Sequence, residues 1–311
     1  MNNLISINDI NKDIINNLLE LALYYRYPYN KKDYKTTLKD VSLINIFFEN
    51  STRTSLSFQK AILNLGGNYL HYDVSRSSIN KGESLNDTIR TIENYADIIV
   101  MRHSDNDIFD NIKSKKLLIN AGNGTNEHPT QSLTDLLTIY YCNNKNIDCF
   151  NNLNITIVGD LRYGRTVNSL IKILLNFNNV TFNLISFNDL RLSNDLKKLI
   201  INKNCKYNED IDYKKYINNT DVLYMTRLQK ERLNNHYLSE ADYYNLDIKD
   251  LKNVKKKFII LHPFPRNSEI NTNIDSSKYA KYFLQSELAV YMRMAILSNY
   301  YFKNRIKFSR L

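Results

Sequence analysis

Residues 41–65 read VSLINIFFENSTRTSLSFQKAILNL, a stretch whose hydrophobic period changes halfway along. Residues 41–48 are an apolar run of strand length, whereas Phe58, Ala61, Ile62 and Leu65 recur at i, i+3, i+4 and i+7, the spacing of one helix face. Gly66 and Gly67 then end the helix. A strand running into a helix opens a β-α unit, and the chain repeats that unit. Strand-length runs at 68–73, 97–101 and 116–121 alternate with helical spacing around 83–95 and 129–142. This order predicts a parallel sheet with helices on both faces.

The pattern restarts beyond YCNNKNIDCFNN at 141–152, a polar stretch without periodicity. Strands are predicted at 154–158, 180–186, 222–226 and 258–262, a helix at 165–177, and a long final helix from about Ser286 to Lys303. A chain of 311 residues exceeds one ordinary core and fits two domains of roughly 150 residues. The expected organisation is an α/β domain at 1–142, a second at 143–285 and a C-terminal helix at 286–311, both domains being doubly wound parallel sheets.

The net charge of +10 and pI near 9.2 suit nucleic acid, an anionic surface or small anions. The lysines are scattered, however, through a chain rich in Asn, Ile and Tyr and devoid of Trp, so the excess reads as compositional drift. Neither a nucleic-acid nor a membrane partner is expected: no apolar run approaches the roughly 18 residues of a membrane span. The opening MNNLISINDINKD lacks the features of a signal peptide, which makes the cytoplasm the expected compartment. Cys142, Cys149 and Cys205, odd in number and without a CxxC pair, read as reduced structural thiols.

Against this background the seven glycines and four prolines are informative, because most cluster in a few polar segments that follow predicted strands. In open parallel sheets ligands sit outside the carboxyl ends of strands, so these segments are candidates for one cleft. Ser51, Thr52, Arg53, Thr54 and Ser55 fall at a helix N-terminus, where unpaired amides, hydroxyls and an Arg fork make a phosphate pocket. One capping residue would suffice for the helix and would not explain Arg53 or Thr54. SSINKGES, at 77–84, places Lys81 in a loop before a helix, and Arg102 ends the apolar strand IIVMRH. His128 and Gln131 bracket Pro129 at the first turn of a helix, where His can donate to a carbonyl oxygen.

In the second half, Gly159 to Thr166 reads GxxxxGRT, close to a phosphate-binding loop but with Arg in place of its Lys and no second acidic strand end for magnesium. Arg165 therefore reads as a cation for a carboxylate. Arg227 and Gln229 stand just past a strand in YMTRLQKER, and an Arg fork is the natural carboxylate binder. LHPFPRNSEI fixes an extended backbone around Phe264 whose carbonyls can face a ligand. No nucleophile with a paired His, carboxylate dyad or metal cluster is present, and no cofactor is called for. The chemistry expected is direct transfer between two bound anions, helped by positioning and electrostatics.

FFENSTRT, SxxxKGES, MRH, HPTQSLTDL, GDLRYGRT, TRLQKER and HPFPR resemble, in order and spacing, the catalytic chain of the aspartate carbamoyltransferase family, from about residue 45 to 295. The resemblance implies one domain for carbamoyl phosphate, one for aspartate, and a last helix packing back on the first. By motif, Ser51, Thr52, Arg53, Thr54 and Arg102 would hold phosphate, while Thr54, Arg102 and His128 would polarise the carbonyl. Gln131 and the backbone through Pro263, Phe264 and Pro265 would hold the carbamoyl NH₂, and Arg165, Arg227 and Gln229 the aspartate carboxylates. Ser77, for carbamoyl phosphate, and Lys81, for aspartate, would come from a neighbouring subunit of a homotrimer with shared active sites. The implied pathway is pyrimidine biosynthesis, and the resemblance leaves room for a regulatory chain or a dihydroorotase partner. Ornithine carbamoyltransferases share the first-half motifs but show HCLP and SMG where HPFP and TRLQ stand here. Three departures are visible: Phe264 for the usual Leu, Gln59 for a common Glu, and Leu288-Ala289 for a frequent Asn-Gly.

Overall fold

In a computed structural model of the protein, residues 3–28, 34–228 and 244–308 are described, and they form two compact units. One runs up to Thr134 and takes in the chain from Glu287 onward; the other is Asp135–Ser286. The first is built on strands β1 (Ser42–Phe47), β2 (Asn68–Leu70), β3 (Ile98–His103) and β4 (Leu117–Asn123), all parallel, in the order β2-β1-β3-β4. Helices α1 (Lys12–Arg26), α2 (Thr52–Asn64), α3 (Leu85–Ile92) and the start of α4 (Pro129–Cys142) accompany it. The strands alternate their two faces. Ile44, Ile46, Ile99 and Met101 meet Ile89 and Ile92 of α3 in one buried cluster, and each such side chain contributes about 1.5–3 kcal/mol when fully buried.

The second unit carries β5 (Asn154–Val158), β6 (Thr181–Ile185), β7 (Lys206–Asp210), β8 (Val222–Met225) and β9 (Ile259–Leu261), again all parallel, in the order β7-β6-β5-β8-β9. Helices α5 (Arg165–Leu174) and α6 (Asn194–Asn202) make the crossovers β5 to β6 and β6 to β7. Both sheets are parallel and doubly wound, as the alternation of strand and helix predicts. β7, with the sequence KYNED, escapes the sequence reading because it is a partly exposed edge strand without an apolar run. Besides its backbone ladder with β6, side chains secure it. Asn208 donates to Asn183 Oδ1 at 2.8 Å, and Asn183 donates to Asn154 Oδ1 at 2.7 Å, an amide ladder across β7, β6 and β5.

The last helix, α7, spans Tyr282–Phe308. From Glu287 onward it belongs to the first unit, where Glu287 pairs with Arg26 at 3.1 Å and Ser298 accepts from Tyr25 Oη at 2.9 Å. Arg293 is 1% exposed and sets its guanidinium 5.1 Å from the Phe58 ring centroid. Leu288 and Ala289 are buried, and the helix runs through them without a break, so apolar packing stands where the resemblance places Asn-Gly. Among the described residues no helix is long and apolar enough to cross a membrane.

Each strand order reverses once. In the first sheet the chain leaves β1 toward β2 and returns to β3 on the other side; in the second it leaves β5 toward β6 and returns to β8. These two switch points, β1/β3 and β5/β8, are where open α/β sheets leave a crevice for ligands.

Candidate active site

At the first switch point, β1 delivers the chain into the N-terminus of α2. Ser51 occupies the N-cap position with extended backbone (φ −154°, ψ 93°), yet its hydroxyl makes no capping hydrogen bond. The cap explanation for this hydroxyl cluster therefore does not apply to Ser51. Thr52 and Arg53 are exposed in the first turn, and the desolvation Arg53 does undergo pulls its guanidinium below the usual value. Thr54 is buried, with Oγ1 3.5 Å from His128 Nε2. His128 follows β4, is itself buried, and has Nδ1 3.4 Å from the Thr130 hydroxyl.

Arg102 is the penultimate residue of β3, opposite Phe47 of β1 in the sheet register, so it lies beside the turn that leads to Ser51. Its Nε sits 3.2 Å from Glu49 Oε2, both side chains being mostly buried. Sequence reasoning did not single out Glu49, because a carboxylate one turn before a hydroxyl cluster has no periodic signature. Glu49 supplies a counter-charge to Arg102, which an arriving anion would have to outcompete or share. His103 does not point to chemistry: its Nδ1 accepts from the Asp105 amide at 3.0 Å, and its ring packs edge-on against Phe48. Gln131 is partly buried in the first turn of α4. Ser77 and Lys81 lie on two short 3-10 turns; the Ser77 hydroxyl donates to Val74 O at 2.8 Å and Lys81 is exposed.

The second switch point holds the other group. The loop after β5 starts with Gly159 at φ 125°, where a Cβ would fall 2.4 Å from Thr226 O at the end of β8. Only glycine allows the two strand ends to approach so closely. Asp160 then turns the loop by accepting from the amides of Arg162 at 3.1 Å and Tyr163 at 2.9 Å. This delivers Arg165 to the first position of α5, while Arg227 emerges two residues beyond β8; both side chains are partly buried. β5 and β8 are neighbours, so the two guanidinium groups issue from adjacent strand ends, a disposition suited to a dicarboxylate. Gln229 lies outside the described residues.

Pro263, Phe264 and Pro265 follow β9. The flanking prolines predict an extended backbone here, but Phe264 instead adopts φ 58°, the left-handed region that a bulky residue rarely enters, held there by contacts the local sequence does not show. Its amide donates to His262 Nδ1 at 2.8 Å, and His262 Nε2 lies 2.7 Å from Glu269 Oε1. Burial alone would raise the Glu269 carboxyl, but the bond from His262 and the Asn267 amide more than offset it and hold it below the usual carboxylate range. In the sequence, the prolines and Phe264 carry the visible signal of this segment, and nothing in residue type or spacing marks the pairing of His262 with Glu269.

The chain belongs to the aspartate/ornithine carbamoyltransferase family. Residues 2–141 match the family's carbamoyl-P binding domain, and residues 151–300 match its Asp/Orn binding domain. Among its relatives, the aspartate carbamoyltransferase catalytic subunit of Alkaliphilus metalliredigens is 40% identical over 302 residues, covering 95% of each chain. That of Picrophilus torridus is 40% identical over 302 residues, covering 96% of this chain and 97% of the relative. A crystal structure of aspartate transcarbamoylase from Trypanosoma cruzi, in complex with N-(phosphonacetyl)-L-aspartic acid, superposes with a TM-score of 0.88 at 35% identity, covering 95% of this chain and 94% of that one.

Proposed function

We propose that this chain transfers the carbamoyl group of carbamoyl phosphate to the amine of L-aspartate, giving N-carbamoyl-L-aspartate and phosphate on the route to pyrimidines. The observation that carries the reading is the pair of switch points: hydroxyls and cations with a buried His at one, two arginines at the other. Residues 1–142 form the carbamoyl-phosphate domain, 143–285 the aspartate domain, and 286–311 the helix returning to the first.

Ser51, Thr52, Arg53 and Thr54, with Arg102, hold the phosphate against the α2 N-terminus. Thr54, Arg102 and His128 draw charge onto the carbonyl oxygen, and Gln131 with the backbone at Pro263, Phe264 and Pro265 orients the carbamoyl NH₂. Arg165, Arg227 and Gln229 bind the aspartate carboxylates. The aspartate amine attacks the carbonyl carbon, the carbonyl π electrons move onto oxygen, and the resulting tetrahedral intermediate expels phosphate. The departing phosphate takes the amine proton, so the chain needs no separate base.

Ser77 and Lys81 complete a neighbour's site in a cytoplasmic homotrimer, a role that their position on exposed 3-10 turns supports. A regulatory chain or a dihydroorotase is the further partner this assembly would accommodate. The second reading within the family is an ornithine carbamoyltransferase; TRLQ and HPFP, and the two arginines at the second switch point, favour a dicarboxylate over a cationic acceptor. Supplying labelled carbamoyl phosphate with equimolar L-aspartate and L-ornithine separates the two. Label is expected in N-carbamoyl-L-aspartate, and its appearance in citrulline would reverse the assignment.

A further inference from the structure

Behind the Pro263–Pro265 turn lies a string of buried polar groups, all within Asp135–Ser286. Tyr224 Oη donates to Asp135 Oδ2 at 3.0 Å, Gln285 Nε2 donates to Asp135 Oδ1 at 2.6 Å, and Gln285 Oε1 accepts from the His262 amide at 2.9 Å. His262 Nε2 then lies 2.7 Å from Glu269 Oε1, and both Glu269 oxygens accept from the Asn267 amide at 3.2 and 3.1 Å. Every side chain in this series is at most 6% exposed. Such a network is retained only when its members are mutually satisfied.

The two ring nitrogens of His262 have different partners, and these fix the proton. A backbone amide can only donate, so the nitrogen receiving the Phe264 N–H, Nδ1, carries no hydrogen. Nε2 faces a carboxylate and carries it. The backbone thus held is the left-handed one at Phe264, whose ring is also surrounded by those of His262, Tyr282 and Phe283 at centroid distances of 5.6, 5.7 and 5.5 Å. A residue in a disfavoured conformation persists where its surroundings over-determine it.

We infer that His262 is a positioning residue: as a neutral imidazole braced by Glu269 and Gln285, it clamps the Phe264 amide and so aims the Pro263 and Phe264 carbonyls at the substrate. The inference rests on the proposed reading, in which those carbonyls orient the carbamoyl NH₂.

Two isosteric replacements separate this role from a merely structural one. An Asn at 262 places an oxygen near the Nδ1 position, keeping an acceptor for Phe264 and losing the donor to Glu269; a Gln keeps that donor and loses the acceptor. With the trimeric enzyme, His262→Asn is expected to retain kcat within about tenfold, whereas His262→Gln loses about 100-fold, the scale of a small misplacement of a reacting group. The aspartate KM should stay within about threefold in both. His262→Gln matching or exceeding His262→Asn, or a loss confined to the aspartate KM, would overturn the inference. Should either variant fold poorly, ¹⁵N shifts of His262 in the wild-type protein decide it: a proton-free Nδ1 is expected, and a protonated Nδ1 refutes the clamp. A wild-type enzyme that carbamoylated no aspartate would instead sink the parent reading, and the tautomer would still be read independently.

Discussion

Replacing Arg53 by alanine is expected to lower kcat/KM by about 10³-fold while the fold survives. The magnitude follows from the proposed role of Arg53 as a charged donor to a dianionic leaving group, at the upper end of what one preorganised donor contributes. Survival follows from position. Arg53 is exposed in the first turn of α2, whereas the helix is anchored through the buried Thr54, Ser57, Phe58, Ala61 and Ile62. Thermal unfolding should therefore shift by no more than about 1 kcal/mol equivalent. Steady-state kinetics beside a melting curve reads both halves. A folded variant with near-normal turnover would remove Arg53 from the phosphate site, and an unfolded one would overturn the claim that Arg53 is dispensable for the fold.

Replacing Arg227 by alanine should act differently. It leaves the phosphate half intact, so the expected result is an aspartate KM raised by about 100-fold with the carbamoyl phosphate KM within about threefold of wild type. Arg227→Lys should recover little of the loss, because a point charge cannot reproduce a two-pronged hydrogen bond to a carboxylate. Equal weakening toward both substrates would show that the two switch points do not divide the substrates between them.

Much of this was legible in the sequence because it is local. The 41–65 stretch carries the strand and the helix in its own periodicity, and the polar segments follow strands in a chain otherwise filled with Asn and Lys. Helix α1 carries the same kind of local signal, with buried Ile15, Leu18, Leu19 and Ala22. What stayed hidden depends on partners distant in sequence. β7 owes its place to its ladder with β6 and to the hydrogen bond Asn208 donates to Asn183, and Gln285 gains meaning through His262 and through Asp135, 150 residues away. Nor does residue type reveal that Arg102 faces Glu49 or that Phe264 turns left-handed.

The departures from the family pattern also become physical statements. Gln59 donates to Ser55 Oγ at 2.9 Å, and Asn45 of β1 donates to the same hydroxyl at 3.2 Å, so a neutral network ties the first turns of α2 to the sheet. Phe264 in place of Leu adds aromatic contacts to the turn whose backbone the proposed mechanism uses.

In the proposed reading, a phosphate-binding half and a dicarboxylate-binding half serve one reaction. Calorimetric titration of the purified protein with N-(phosphonacetyl)-L-aspartate, which joins both halves in one molecule, tests it most directly. One molecule is expected to bind per chain, at least about 100-fold more tightly than inorganic phosphate or succinate alone. Binding no tighter than that of phosphate would contradict it.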